Sequence, residues 1–113
     1  VDLGVFPTRT ESLGKARVEA LMCGTPLITT ATGFGAALTG RAGERGWLIP
    51  PGDPEALARM IGQVLSTPLD WPALRRRCRA FSEQFTLERW AKKIGEICAG
   101  QWDLTWMEGK LRP

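Results

Sequence analysis

The chain has 113 residues, with 15 Lys and Arg against 12 Asp and Glu, a formal net charge of +3, and no histidine. That length supports one domain at most, and 43% hydrophobic with 24% charged residues is globular rather than disordered composition. Without histidine the chain itself supplies neither a Ser-His-Asp nor a Cys-His triad, nor a histidine metal site. Its apolar runs fall far short of the ~20 residues a membrane span needs. No charged-then-apolar leader opens the sequence, which starts in VDLGVFPT. The cysteines Cys23, Cys78 and Cys98 are odd in number and lack CxxC spacing, so neither a disulfide framework nor a zinc site is expected. Each reads as a small core hydrophobe of a cytoplasmic protein.

In chain order, Val1–Pro7 reads as a short buried strand carrying Val1, Leu3, Val5 and Phe6, stopped by Pro7. A loop over Thr8–Gly14 follows, then a helix from Lys15 that Gly24 and Pro26 end. Leu27–Thr30 is β-branched and predicts a second strand. The Gly-rich stretch from Thr32 to Gly46 holds an apolar turn at Phe34, Ala36, Ala37 and Leu38, and Trp47–Ile49 reads as a third strand. Asp53 as N-cap, Pro54 at the first helical position and Glu55 behind it predict the next helix. Leu57, Met60, Ile61, Val64 and Leu65 would form its apolar stripe. A further helix near Asp70 would bury Leu74, Cys78 and Phe81. The last, capped by Thr86, would place Leu87, Trp90, Ile94, Ile97 and Cys98 on one side.

Strands alternating with helices imply an α/β fold with a parallel, Rossmann-like sheet in three layers. Three parallel strands make a poor independent sheet, because such strands are normally flanked on both sides and covered on both faces. Val1–Phe6 reads as a central strand, so the expectation is the second half of a doubly wound domain belonging to a longer protein. Residues 1–98 would form this partial domain and 99–113 a tail.

Glu11 and Glu19 flank a glycine, with a helix starting between them. Gly14 lets the backbone bend sharply and a ligand come close. The N–H groups of Gly14, Lys15 and Ala16 would then face the space at the strand's carboxyl end, where unpaired donors and the helix dipole attract phosphate. An ionised carboxylate at Glu19 could accept from both hydroxyls of a vicinal diol such as ribose. On spacing alone a loop cap at Glu11 and a solvated helix residue at Glu19 account for the pair at least as well.

The surrounding motifs stand in a fixed order. DLGVFPT with ESLG comes first, then EALMCGTPLIT, a Gly-rich loop, GWLIPPGDPEALA, and the closing FSEQFTLERW. Together, over residues 1–98, they resemble the carboxyl-terminal domain of the group 1, GT-B type nucleotide-sugar glycosyltransferases. The resemblance implies a donor site in which Glu11 lies beside the transferred sugar and Glu19 holds the ribose hydroxyls. Backbone amides at Leu13, Gly14 and Lys15, with the helix start at Ala16, would meet the sugar and diphosphate. It also implies transfer with retention, without a metal ion or other cofactor, Glu11 stabilising an oxocarbenium-like state.

Two departures stand out. Gly33-Phe34-Gly35-Ala36-Ala37 lacks the Pro and Glu that such sequences commonly carry after the second strand. The diphosphate-clamping Arg and Lys of the family would lie upstream of Val1, as would an amino-terminal acceptor domain. The fragment alone is therefore expected to be inactive. The alternatives are a non-catalytic nucleotide-binding module and a scaffold or interaction domain.

Arg75, Arg76, Arg77 and Arg79 form a basic run. It reads first as a solvated helix face, second as a peripheral contact with an anionic membrane, and not as a nucleic-acid site. Trp102 and Trp106, if helical, would share a face that the missing domain or a second copy covers. The open edge of the first strand offers a second route to a homodimer.

Overall fold

The computed structural model describes residues 1–102 in full and, beyond them, the backbone of Thr105–Met107 and Lys110–Arg112. The chain divides into two compact units, Val1–Ser82 and Glu83–Pro113.

In the first unit the order is β1 (Gly4–Phe6), α1 (Lys15–Met22), β2 (Leu27–Thr30), α2 (Gly35–Thr39), β3 (Gly46–Ile49), α3 (Pro54–Ser66) and α4 (Trp71–Ser82). The strands form one parallel sheet in the order β1-β2-β3. Gly4, Val5 and Phe6 stand beside Leu27, Ile28 and Thr29, and Ile28 stands beside Trp47. Strand alternation sends Ile28 and Ile49 to one face, where Val64 of α3 meets them with Leu57, Met60 and Ile61 around it. The opposite face receives α1, whose Arg17 reaches Thr29. Helices on both faces of a parallel sheet give the expected three layers.

Several local signals hold. The Asp53 carboxylate accepts the Ala56 N–H at 2.9 Å and Pro54 opens α3. Asp70 Oδ1 accepts the Ala73 N–H at 3.0 Å, and Leu74 and Cys78 are fully buried. A buried leucine such as Leu74 stabilises the fold by about 1.5–3 kcal/mol.

Four expectations are corrected. The first strand is shorter than foreseen, Gly4–Phe6 rather than Val1–Pro7, with Val5 exposed and Val1 almost fully so. Leu65 lies outside the buried stripe of α3, being 68% exposed. Cys23, at the C-cap of α1, is exposed and Cys98 half-buried, so Cys78 alone is a core thiol. The shared helical face of Trp102 and Trp106 does not form. The helix ends at Trp102, whereas Trp106 lies in an extended strand.

The second unit holds one 3₁₀ turn at Glu83–Phe85, α5 (Leu87–Trp102), and β4 (Thr105–Met107) antiparallel to β5 (Lys110–Arg112). Thr86 Oγ1 accepts the Arg89 N–H at the start of α5. Leu87, Trp90, Ile94 and Ile97, foreseen on one side of this helix, are all exposed.

Candidate functional site

The carboxyl end of β1 feeds the loop Pro7–Gly14, which turns directly into α1. Gly14 adopts φ +74, the left-handed region that glycine enters without a Cβ penalty. Its carbonyl accepts the N–H groups of Arg17 at 2.9 Å and Val18 at 3.2 Å, the first amides of α1 to find an intrahelical acceptor. The amides of Lys15 and Ala16 stand ahead of them, at the positive end of the helix dipole and with no acidic residue in the first turn.

Beneath this turn lies Arg17, 1% exposed. Its Nη1 donates to Thr29 Oγ1 at 3.3 Å, and Nη2 reaches the carbonyls of Ser12, Leu13 and Thr32 at 3.1–3.3 Å. Among the described residues the Nε proton has no acceptor. A single guanidinium thereby ties the Ser12–Leu13 turn to the loop after β2. That second loop is close-packed as well: the Phe34 N–H donates to Ser12 O at 3.0 Å, and a Cβ at Gly33 would overlap the same oxygen. The loop that lacks the expected Pro and Glu is closed by backbone bonds, the Gly35 N–H donating to Thr32 O at 3.1 Å.

Sequence alone does not single out Arg17, because an arginine within a helix is ordinarily solvated. The signal was present in the spacing. Arg17, Val18 and Leu21 are the buried residues of α1, and Arg17 and Leu21 lie four apart on one helical face.

Beside the turn, three hydroxyls cluster at the ends of β1 and β2. Thr30 Oγ1 donates to Thr8 O at 2.8 Å and lies 2.7 Å from Thr32 Oγ1 and 3.1 Å from Thr8 Oγ1. They fix the strand ends that launch both loops.

Glu11 sits in the loop, exposed, its Oε1 accepting the Ser12 N–H at 3.0 Å. Glu19 is on α1, also exposed, 4.0 Å from Lys15 Nζ. With Ala16, Phe6 and Arg75 it lines a cleft of about 510 Å³ along the open edge of β1. The structure thus brings Glu19 and Ala16 to one cleft, while Glu11 is held at the turn with Leu13 and Gly14 and is not among the residues lining that cleft.

The basic run is mostly engaged within the fold. Arg75 pairs with Asp2, and Arg77 donates to the carbonyls of Glu44 at 2.7 Å and Gly43 at 3.1 Å. Arg79 packs against Gly24, where a Cβ would stand 2.8 Å from its Nε. No group of three His, Cys, Asp or Glu side chains converges among the described residues, and no described helix is long and apolar enough to cross a membrane.

A family model described as glycosyl transferases group 1 matches residues 1–85. D-inositol 3-phosphate glycosyltransferase 1 of Catenulispora acidiphila is 40% identical over 97 residues, which are 86% of this chain and 22% of that protein. D-inositol 3-phosphate glycosyltransferase of Streptomyces scabiei is 34% identical over 94 residues, 82% of this chain and 21% of that protein. Among solved structures, sucrose-phosphate synthase from Thermosynechococcus elongatus aligns with a TM-score of 0.77 at 32% identity, covering 91% of this chain and 26% of that one. The Anabaena protein HepE, in complex with UDP, aligns with a TM-score of 0.72 at 26% identity, covering 82% and 26%. The chain therefore spans about a fifth of the length of the curated relatives it matches.

Proposed function

The chain belongs to the group 1 glycosyl transferases, with the architecture of a GT-B carboxyl-terminal domain, and from that premise we propose that it is the donor-binding part of a larger enzyme. The whole enzyme moves a sugar from a nucleotide-diphosphate-sugar to an acceptor held by the remainder of the protein.

The observation that carries this reading is the turn into α1. An anion seated over Gly14 would meet the N–H groups of Lys15 and Ala16 and the positive end of the helix, an arrangement suited to a diphosphate. Glu19, one turn further, accepts the ribose hydroxyls, since a carboxylate can take two donors at once. Glu11 lies at the mouth of the turn and offsets positive charge developing on the sugar ring as the diphosphate departs. A lone carboxylate there acts by its field, not as one half of a glycosidase-like carboxylate pair, and transfer proceeds with retention and without a metal ion. The 113-residue piece by itself binds donor weakly and transfers nothing. The enzyme works in the cytoplasm.

The test is sugar transfer by the complete gene product against a panel of nucleotide-diphosphate sugars, with product anomers assigned by NMR. Glu19→Gln should raise the donor KM by about tenfold, the worth of one charge-assisted hydrogen bond. Glu11→Gln should lower kcat by ~10²-fold or more with little change in KM. Wild-type rates in both variants, or no turnover of any nucleotide sugar, would sink the assignment.

A further inference from the structure

Arg17 is a charged group that the fold buries without a carboxylate. Among the described residues none of the ion pairs includes it. Its guanidinium offers five N–H protons. The two on Nη2 are spread over three carbonyls, one contact from Nη1 reaches Thr29 Oγ1, and the Nε proton finds nothing. Burying a cation this way is costly, and neutral acceptors at 3.1–3.3 Å offset only part of the cost. The charge therefore has another use.

Its position identifies that use. Nε lies directly under Gly14, where an added Cβ would overlap it, and Nη1 lies 2.9 Å from where a Cβ at Gly35 would be. The cation thus sits behind the turn that carries the amides of Lys15 and Ala16, inside a low-dielectric wall where its field is weakly screened. We propose that Arg17 is the positioning residue of the diphosphate end of the donor site. It clamps the Ser12–Gly14 turn to the Thr32–Gly35 loop and adds buried positive charge behind the helix start, so that an anion on the turn completes the missing charge compensation. This rests on the donor-site reading above and assigns its phosphate affinity to a side chain that need not touch the ligand.

The experiment titrates the complete gene product with UDP, GDP and ADP, the matching nucleosides, and inorganic pyrophosphate. Arg17→Lys should weaken pyrophosphate and nucleotide binding about tenfold and Arg17→Met about a hundredfold, with nucleoside affinity unchanged. A residue that merely held the fold would lower nucleoside and diphosphate binding together. In the wild type, the ¹⁵N-resolved Nε–H signal of Arg17 should move on adding pyrophosphate and stay put on adding nucleoside, a readout that survives if Arg17→Met does not fold. Diphosphate binding unaltered in Arg17→Lys, or an unmoved Nε–H signal at saturating pyrophosphate, overturns the role of Arg17 and leaves the donor site standing. A wild type that binds none of these anions overturns the donor-site reading itself.

Discussion

Arg17 folds back beneath Gly14 so closely that a Cβ on Gly14 would overlap its Nε and stand 2.9 Å from its Cζ. Glycine is required there twice over, by the left-handed φ of +74 and by the guanidinium below. Gly14→Ala should therefore cost about 1–3 kcal/mol from backbone strain alone, and more if Arg17 surrenders its carbonyls. Urea unfolding measures it, and a variant as stable as wild type would show that the turn tolerates a Cβ.

Helix α3 offers two changes of opposite sign. Gly62 is exposed in mid-helix, with nothing within 4 Å of an added Cβ. Gly62→Ala should raise stability by about 0.5–1 kcal/mol, the ordinary helical preference for alanine. Asp53→Ala removes the acceptor of the Ala56 N–H and should lower stability by about 1 kcal/mol. Urea midpoints moving in the same direction for both would contradict this picture of the helix.

Glu44 predicts a pH effect. Its Oε2 accepts the Arg41 N–H at 2.9 Å and its Oε1 pairs with Arg45 Nη1 at 2.9 Å. The Arg41 amide first, and the Arg45 charge second, hold its carboxyl below the ordinary value of 4.5. A depressed folded value means stabilisation that is complete above 4.5 and lost as pH falls through the lower folded value. Compared with Glu44→Gln, the wild type should lose stability faster on acidification in that window, and the two should run parallel at neutral pH. Parallel curves throughout the acid range would remove the effect.

The cysteines should separate by reactivity. Burial pushes the Cys78 thiol above its ordinary 9.0, against a smaller downward pull from Arg45, and its Sγ donates to Arg45 O at 3.8 Å. Cys23 is exposed. An aromatic disulfide reagent should react first at Cys23, a phase that Cys23→Ser removes, and reach Cys78 only on unfolding. Rapid labelling of Cys78 in the folded protein would mean that its core opens readily.

The local signals of this chain proved the most legible. Asp53 before Pro54, the β-branched run Leu27–Thr30 and the Gly24–Pro26 stop each act within a few residues, and each element stands where its signal put it. The turn at Gly14 into α1 was legible in the same way, because a glycine at a helix start is a local matter. Whether an apolar residue finds cover is decided elsewhere in the chain. Val5 and Leu65 have the right character and stay exposed because no described element packs over them, and nothing in their own neighbourhood announces that.

Arg17 marks the boundary between the two kinds of information. Its place in the chain says only that a long cation stands four residues before Leu21 on one side of a helix. Burial, and the convergence of Ser12, Leu13, Thr29 and Thr32 on one guanidinium, needed β2 to pair beside β1 and bring the two loops together. Capping, turn and strand preferences arise from short-range sterics and hydrogen bonding, which residues carry with them. The partners of a buried charge come from distant segments, and only the assembled sheet could supply them.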